Sequence, residues 1–339
     1  MKDVYILGIE SSCDETACAV VKNGTSVLSN VVFSQIDVHK VFGGVVPEIA
    51  SRNHVEVVDV VTKQALKEAG LTLQDIDAIA VTYGAGLVGA LLVGVSYAKG
   101  LAQSSKKPLI AVNHIEGHIC SNYLSNPDLK PPFLCLLTSG GHTAIVRVDD
   151  YVTYTVLCST ADDAIGECFD KVARVLGLPY PGGIYVDKLA QSGKATIPFK
   201  SVVLANGNFS FSGIKTAVVN LVHNAEQKGE TVNKEDLAQS FTKTAVDGLI
   251  SRLQKEIETS KINKVAIAGG VAANSYLRQE VAKLEKQGVK VFLPKLCYCG
   301  DNGAMIASQG YFQFIEGDFA SMDLNACPTL RLRAKYEKK

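Results

Sequence analysis

The alternation of apolar and polar positions divides the chain into strand-sized and helix-sized pieces, and the same order of pieces occurs twice. Val4 to Ile9 is an apolar run of strand length, followed by the polar loop Glu10-Ser-Ser-Cys-Asp-Glu15. Runs of this length bounded by polar loops predict buried strands. Thr16 to Val21 and Ser26 to Phe33 are two more, with Asn23-Gly24 between them, and Asn-Gly between apolar runs signals a hairpin. From Phe133 the order returns. Phe133 to Leu137 is a strand, Thr138-Ser-Gly-Gly-His142 a loop, and Thr143 to Val148 and Thr153 to Cys158 a hairpin around Asp149-Asp150.

Each half continues alike. Ala78 to Thr82 leads through Gly84-Ala-Gly86 into a helix from Leu87, and Val265 to Ala268 leads through Gly269-Gly270 into a helix over Asn274 to Leu284. The last pair of strands is Leu109 to Val112, ending at His114, and Val291 to Pro294, leading to Asp301. Strand-then-helix alternation implies mostly parallel pairing with helices on both sheet faces. The expected fold is therefore α/β, with two duplicated lobes and a central ligand cleft at the glycine-rich strand ends. The expected boundaries are residues 1–130 for the N-terminal lobe and 131–325 for the C-terminal lobe, with an insertion around 178–235 and a tail over 326–339.

The chemistry begins with His114 and His118, two of only six histidines. They open a helix just past a strand, and positions i and i+4 share one helix face. Two imidazoles so placed can grip a transition metal. Two partly buried histidines bonded to backbone would read the same. The duplication adds Asp301, which follows the last strand of its half as the histidines follow theirs, so the three are expected to meet across the cleft. Two nitrogens and a carboxylate oxygen leave coordination positions open, as a catalytic metal requires, and suit iron or zinc.

Composition narrows the function classes. The formal net charge is zero, which argues against holding nucleic acid by bulk charge. The nine cysteines are scattered, with Cys297 and Cys299 as the one close pair, a pattern of thiols in a reducing cytoplasm. Met1-Lys-Asp-Val-Tyr-Ile has no signal-peptide pattern, and the apolar stretch from Gly84 to Ala102 contains Lys99, so a buried helix is expected there, not a membrane span.

Long motifs then carry a resemblance. They include Gly8-Ile-Glu-Ser-Ser-Cys-Asp-Glu-Thr16, Ala50-Ser-Arg-Asn-His54, Asn113-His-Ile-Glu-Gly-His118, Thr138-Ser-Gly-Gly-His-Thr143 and Asp162-Asp-Ala-Ile-Gly-Glu-Cys-Phe-Asp-Lys171. Tyr180-Pro-Gly-Gly183, Phe209-Ser-Phe-Ser-Gly-Ile-Lys215, Ala268-Gly-Gly-Val-Ala-Ala-Asn274 and Asp301-Asn-Gly-Ala-Met305 follow in order. Over nearly its whole length the chain resembles the bacterial TsaD branch of the tRNA N6-adenosine threonylcarbamoyltransferase family, formerly labelled O-sialoglycoprotein endopeptidases. Departures such as Ala85, Thr138, Ile184 and Gly300 remove no functional group.

The resemblance implies the two-lobed actin, sugar-kinase and Hsp70 fold. It implies transfer of threonylcarbamoyl from threonylcarbamoyl-AMP to N6 of adenosine 37, in the anticodon loop of tRNAs that read codons beginning with A. It also implies one divalent metal, iron favoured over zinc. TsaB-like and TsaE-like partners are expected, with a TsaC-like enzyme supplying the intermediate. Leu137, Thr138, Ser139, Gly140 and Gly141 then become part of the acyl-adenylate site, although an ordinary hairpin turn would look alike. Asp170 becomes a ribose ligand, although a carboxylate beside Lys171 on a helix also reads as a solvated ion pair. Gly183 and Asp187 complete the nucleoside contact, and Asn274 sits where adenine and its phosphate bind. Asp14, in an exposed-looking loop, is the candidate for orienting or deprotonating the attacking amine.

Three rivals fare worse on the residues. A zincin needs Glu beside the first histidine, whereas Glu116 follows Ile115 and points off the histidine face. A sugar or acetate kinase of this fold needs no His-x-x-x-His pair. A non-catalytic scaffold would lack His114, His118 and Asp301.

Overall fold

In the computed structural model, which describes residues 2–332, the strands expected from the hydrophobic pattern all form, and they build two five-stranded sheets. In chain order come β1 (Tyr5–Glu10), β2 (Glu15–Lys22), β3 (Ser26–Ser34), α1 (Ile36–Lys40), α2 (Pro47–Ala69), β4 (Ala78–Gly84), α3 (Val88–Ser105), β5 (Leu109–Asn113) and α4 (His114–Ser125). Next are β6 (Phe133–Thr138), β7 (Thr143–Asp150), β8 (Thr153–Ser159), α5 (Ile165–Val175), α6 (Gly182–Ala190), α7 (Ser212–Gln227) and α8 (Lys234–Ser260). The last are β9 (Lys264–Ala268), α9 (Ser275–Ala282), β10 (Lys290–Phe292) and α10 (Gly303–Ile315).

The first sheet has the order β3-β2-β1-β4-β5 and the second β10-β9-β6-β7-β8, the same arrangement reversed in listing. In each, the hairpin strands pair antiparallel and the later strands add in parallel: β1 lies antiparallel to β2 and parallel to β4, and β6 antiparallel to β7 and parallel to β9. This is the duplication read from the hydrophobic pattern.

The chain forms two compact units. Among the described residues, one unit is residues 2–131, Asp149–Tyr154 and residues 294–332; the other is Pro132–Val148 and Thr155–Leu293. The expected boundary near residue 325 is thus corrected. Asp301 and α10 belong with the first sheet, in the same unit as both histidines, so the three do not meet from opposite lobes. The cause is burial. Met305, Ile306 and Ala307 of α10 are fully buried against Ile6, Ala80, Ile110 and Val112 of β1, β4 and β5. A glycine permits this closeness, because a Cβ on Gly303 would lie 2.6 Å from the backbone nitrogen of Ala19.

The expected tail is also packed as far as it is described. Leu330 joins the core on the opposite sheet face with Leu7, Val81 and Val95, and Cys327 N–H donates to the Tyr83 carbonyl at 2.7 Å. Residues 333–339 of that tail lie outside the described residues. The expected insertion carries α6 and α7. No disulfide forms among the described cysteines, and no described helix is long and apolar enough to cross a membrane.

Candidate functional site

The start of α4 is set locally. The side chain of Asn113 accepts a hydrogen bond from Ile115 N–H at 2.9 Å, which caps the helix at the end of β5 and turns His114 and His118 to one side. Asp301 is fixed by a matching device. The Asn302 side chain caps α10 through Met305 N–H at 3.0 Å and donates back to the Gly300 carbonyl at 2.9 Å, bracketing Asp301. The expected grouping of these three residues is therefore present, within a single unit. Nε2 of His118 lies 3.2 Å and Nε2 of His114 3.6 Å from Oδ1 of Asp301, and the two rings meet edge-on with centroids 4.6 Å apart. Their candidate ligand atoms all fall within 4.8 Å of one another.

The donor set fits a metal cation. Both histidines are buried, and they share a wall with the carboxylates of Asp301 and Glu10. Burial disfavours the charged form of His114, but Asp301 and Glu10 outweigh it and hold the group up at about 9. Burial likewise opposes the Asp301 carboxylate, and His114 and His118 outweigh that and hold it down to about 2. Such a cluster favours positive charge at its centre. Glu116 is turned elsewhere, accepting from Gln309 Nε2 at 3.4 Å, which agrees with the exclusion of a zincin arrangement.

Glu10 was missed by sequence reasoning. It ends β1 with no solvent exposure, and its carboxyl oxygen lies 3.1 Å from Nδ1 of His114. Burial raises its titration point, but the neighbouring His114 outweighs this and holds it below the ordinary range. The available signal was its position as the last residue of a buried strand.

Asp14 is buried, not exposed as its loop suggested, and Glu15 is half-buried. Burial, then Asp301 and Asp14, push the Glu15 carboxyl up to about 9. The loop is anchored from α2 by His54, whose Nδ1 lies 2.6 Å from the Thr16 hydroxyl and whose Nε2 lies 2.9 Å from the Cys13 carbonyl. With Nε2–H donating to that carbonyl, Nδ1 accepts from Thr16, and burial holds the imidazole in its neutral form by lowering its titration point.

The expected nucleotide residues lie in the second unit. The turn after β6 is closed by Ser139 N–H donating to the His142 carbonyl at 2.8 Å, with Leu137 and Thr138 buried and Gly140 and Gly141 exposed. Gly269 approaches so closely that a Cβ there would meet the Thr138 carbonyl oxygen at 2.5 Å, and its φ of +91° also favours glycine. Asp170 accepts from the Gly182 and Gly183 N–H groups at 2.7 and 3.3 Å, so it ties α5 to the start of α6. Asp187 accepts from the Ser275 N–H and hydroxyl at 3.1 and 2.8 Å, and Asn274 caps α9 through Leu277 N–H at 2.9 Å. These carboxylates and the amide thus already hold helix starts, a structural duty the sequence did not reveal. Helix starts with glycine-rich approaches also present backbone N–H groups, the chemistry that receives phosphate.

Comparison with known proteins adds to this geometry. The TsaD family profile, described as tRNA N6-adenosine threonylcarbamoyltransferase, matches residues 26–308. The tRNA N6-adenosine threonylcarbamoyltransferase of Clostridium botulinum strain Kyoto is 55% identical over 335 residues, covering 98% of each chain. That of Clostridium perfringens strain SM101 is 54% identical over 336 residues, covering 98% of this chain and 99% of its own. Among solved structures, HypF of T. kodakarensis aligns with a TM-score of 0.63 at 15% identity, over 95% of this chain and 49% of its own. Component A of the Acidaminococcus fermentans (R)-2-hydroxyglutaryl-CoA dehydratase aligns at 0.53 and 15% identity, over 91% and 98%. At such identity these two speak for fold alone, which is the two-sheet α/β type of the actin and sugar-kinase class.

Proposed function

The chain belongs to the tRNA N6-adenosine threonylcarbamoyltransferase family, and on that premise we propose that it transfers threonylcarbamoyl from threonylcarbamoyl-AMP to N6 of adenosine 37 with His114, His118 and Asp301 holding one divalent metal, iron in preference to zinc. The transferase activity on tRNA follows from the family. The metal rests on one observation: two buried imidazoles and a half-buried carboxylate converge on one point. A cation held there would polarise the threonylcarbamoyl group as a Lewis acid.

The remaining steps fall to the chain's own groups. The turn from Leu137 to Gly141, with Asp170, Gly183, Asp187 and Asn274, binds the nucleotide part of the donor through N–H groups and carboxylates. The N6 amine attacks the carbamoyl carbon, the carbon–oxygen bond to phosphate breaks, and AMP leaves with the electron pair. Asp14 takes the proton that the amine sheds as attack completes. The adenosine leaves the anticodon-loop stack to present N6, which single-stranded loops permit at modest cost. Zero net charge gives little general hold on tRNA, so TsaB-like and TsaE-like partners assist, a TsaC-like enzyme supplies the donor, and the reaction runs in the cytoplasm.

The test offers the purified protein, with such partners, labelled threonylcarbamoyl-AMP and tRNA, beside a glycopeptide and a sugar with ATP. The label should pass to tRNA with stoichiometric AMP release. Peptide cleavage or sugar phosphorylation without tRNA labelling would overturn the reading.

A further inference from the structure

One of the three candidate ligands is backed by a buried acid, and the other histidine is not. Three hydrogen-bonding groups converge on the Glu10 carboxylate, which has no solvent exposure. The Thr82 hydroxyl donates to Oε2 at 2.6 Å, the Ser12 backbone N–H donates to Oε1 at 2.5 Å, and Nδ1 of His114 lies 3.1 Å from Oε2. Nδ1 of His118, by contrast, is buried with no hydrogen-bond partner among the described residues. We propose that Glu10 is the positioning residue of the metal centre, keeping a proton on Nδ1 of His114 so that Nε2, on the side of Asp301, is the nitrogen left to a metal. This rests on the reading of His114 as a metal ligand.

The chemistry of the three contacts supports the assignment. An ionised carboxylate only accepts, so all three neighbours must donate to it, and Nδ1 must carry hydrogen. The Ser12 hydroxyl also lies 3.1 Å from Nδ1 and could in principle donate to it, which would put the proton on Nε2 and spoil the ligand. The carboxylate decides between these, because a charged acceptor binds an N–H about twice as strongly as a neutral one. Acids or carbonyls behind ligating histidines fix the tautomer and raise ligand basicity, and their loss typically costs about 10–100-fold in metal affinity.

Glu10→Gln separates shape from charge. The amide has one accepting oxygen for two accepting positions. Turning that oxygen toward Thr82 and His114 sets its NH2 against the Ser12 N–H. Turning it toward Ser12 sets the NH2 against Nδ1–H. The first orientation leaves Nδ1–H only a neutral, weaker acceptor and strands the Ser12 N–H, and the second removes the acceptor altogether, so the metal-competent tautomer is less well supported in both.

The experiment measures zinc affinity by chelator competition for the wild type, Glu10→Gln and Ser12→Ala, with melting temperatures alongside. It adds long-range proton–nitrogen spectra of zinc-loaded protein labelled at histidine nitrogens. Glu10→Gln should bind zinc more weakly by about 10–100-fold while still folded, and Ser12→Ala should match the wild type. The wild-type spectrum should show His114 bound through Nε2 with a hydrogen-bonded proton on Nδ1. Equal affinity in folded Glu10→Gln, or metal on Nδ1 of His114, overturns the proposal. Should Glu10→Gln not fold, the wild-type spectrum decides alone. A wild type that binds no metal removes the underlying reading, and this inference falls with it, an outcome distinct from a bound metal indifferent to Glu10.

Discussion

Nε2 of His118 lies 3.2 Å from Oδ1 of Asp301, and the contact exists because α10 packs beside α4 on one face of the first sheet. The histidine comes from the first turns of α4 and the aspartate from the residue before the cap of α10. If these atoms share a metal, His118→Ala or His114→Ala should abolish tight metal binding and lower transfer by at least about a hundredfold, some 2.7 kcal/mol of transition-state stabilisation. Circular dichroism should show the helices intact. Metal analysis of the folded variants checks the claim, and full metal content would refute it.

The geometry of that contact depends on a helix seated against a strand without intervening side chain. A Cβ at Gly303 would lie 2.6 Å from backbone atoms of Cys18 and Ala19, which cannot rotate away. Gly303→Ala should therefore push α10 off the sheet, destabilise by about 1–3 kcal/mol and weaken metal binding together with stability. Chemical denaturation and chelator competition on the same variant read both effects. A variant of wild-type stability would show that α10 has slack.

Asp170 has two duties to separate. It accepts from two N–H groups at the start of α6, and it is the proposed ribose ligand. Asp170→Ala should lose about 1 kcal/mol of stability from the helix start. It should also bind a non-hydrolysable threonylcarbamoyl-AMP analogue about tenfold to a hundredfold more weakly, as expected for one charged hydrogen bond worth about 1.5–3 kcal/mol. Asp170→Asn, which keeps one accepting oxygen, should retain more of the stability than of the affinity. Calorimetry with metal analysis tests this, and unchanged affinity or coincident metal loss would show the residue is misassigned.

Much of this was legible in the sequence, with gaps that have physical causes. Hairpin signals and apolar runs located every strand, and the end of the apolar run just before His114 located the start of α4. The ownership of α10 was not legible, because an apolar helix such as Met305-Ile-Ala307 shows that it is buried without showing which sheet buries it. Duplication assigned it to the nearer sheet in sequence, and packing against Ile6 and Ile110 assigns it to the other. Asp14 looked exposed, and Glu10 was not singled out, because a polar loop is normally solvated. Their burial comes from residues distant in sequence, Thr82, His114 and the His54 anchor. Asp170 and Asp187 as helix-start acceptors were hidden for the same reason.

A further expectation concerns acid. Asp162 ties the start of α5 to that of α7, accepting from the Ser210 and Ser212 hydroxyls at 2.5 and 2.6 Å and from Phe211 N–H at 2.8 Å. Burial opposes its ionisation, but these donors outweigh burial and lower its titration point below the usual 3.8. A carboxylate lowered in the folded state contributes stability above its ordinary value and loses it as pH falls through the lowered one. Asp162→Asn should thus cost about 1 kcal/mol at neutral pH, discounted because the carboxylate is solvent-exposed, and nothing in strong acid. Urea titrations across acidic pH would show the two curves converge, and parallel curves would contradict the assignment.

On the proposed reading, transfer depends on a metal held by His114, His118 and Asp301. The most direct measurement follows threonylcarbamoyl transfer to tRNA by one preparation stripped with chelator and then reloaded stepwise with iron or zinc, while bound metal is counted. Activity should be lost on stripping and return in proportion to occupancy up to one ion per chain, with no recovery in His118→Ala. Full activity in protein shown to hold no metal would contradict it.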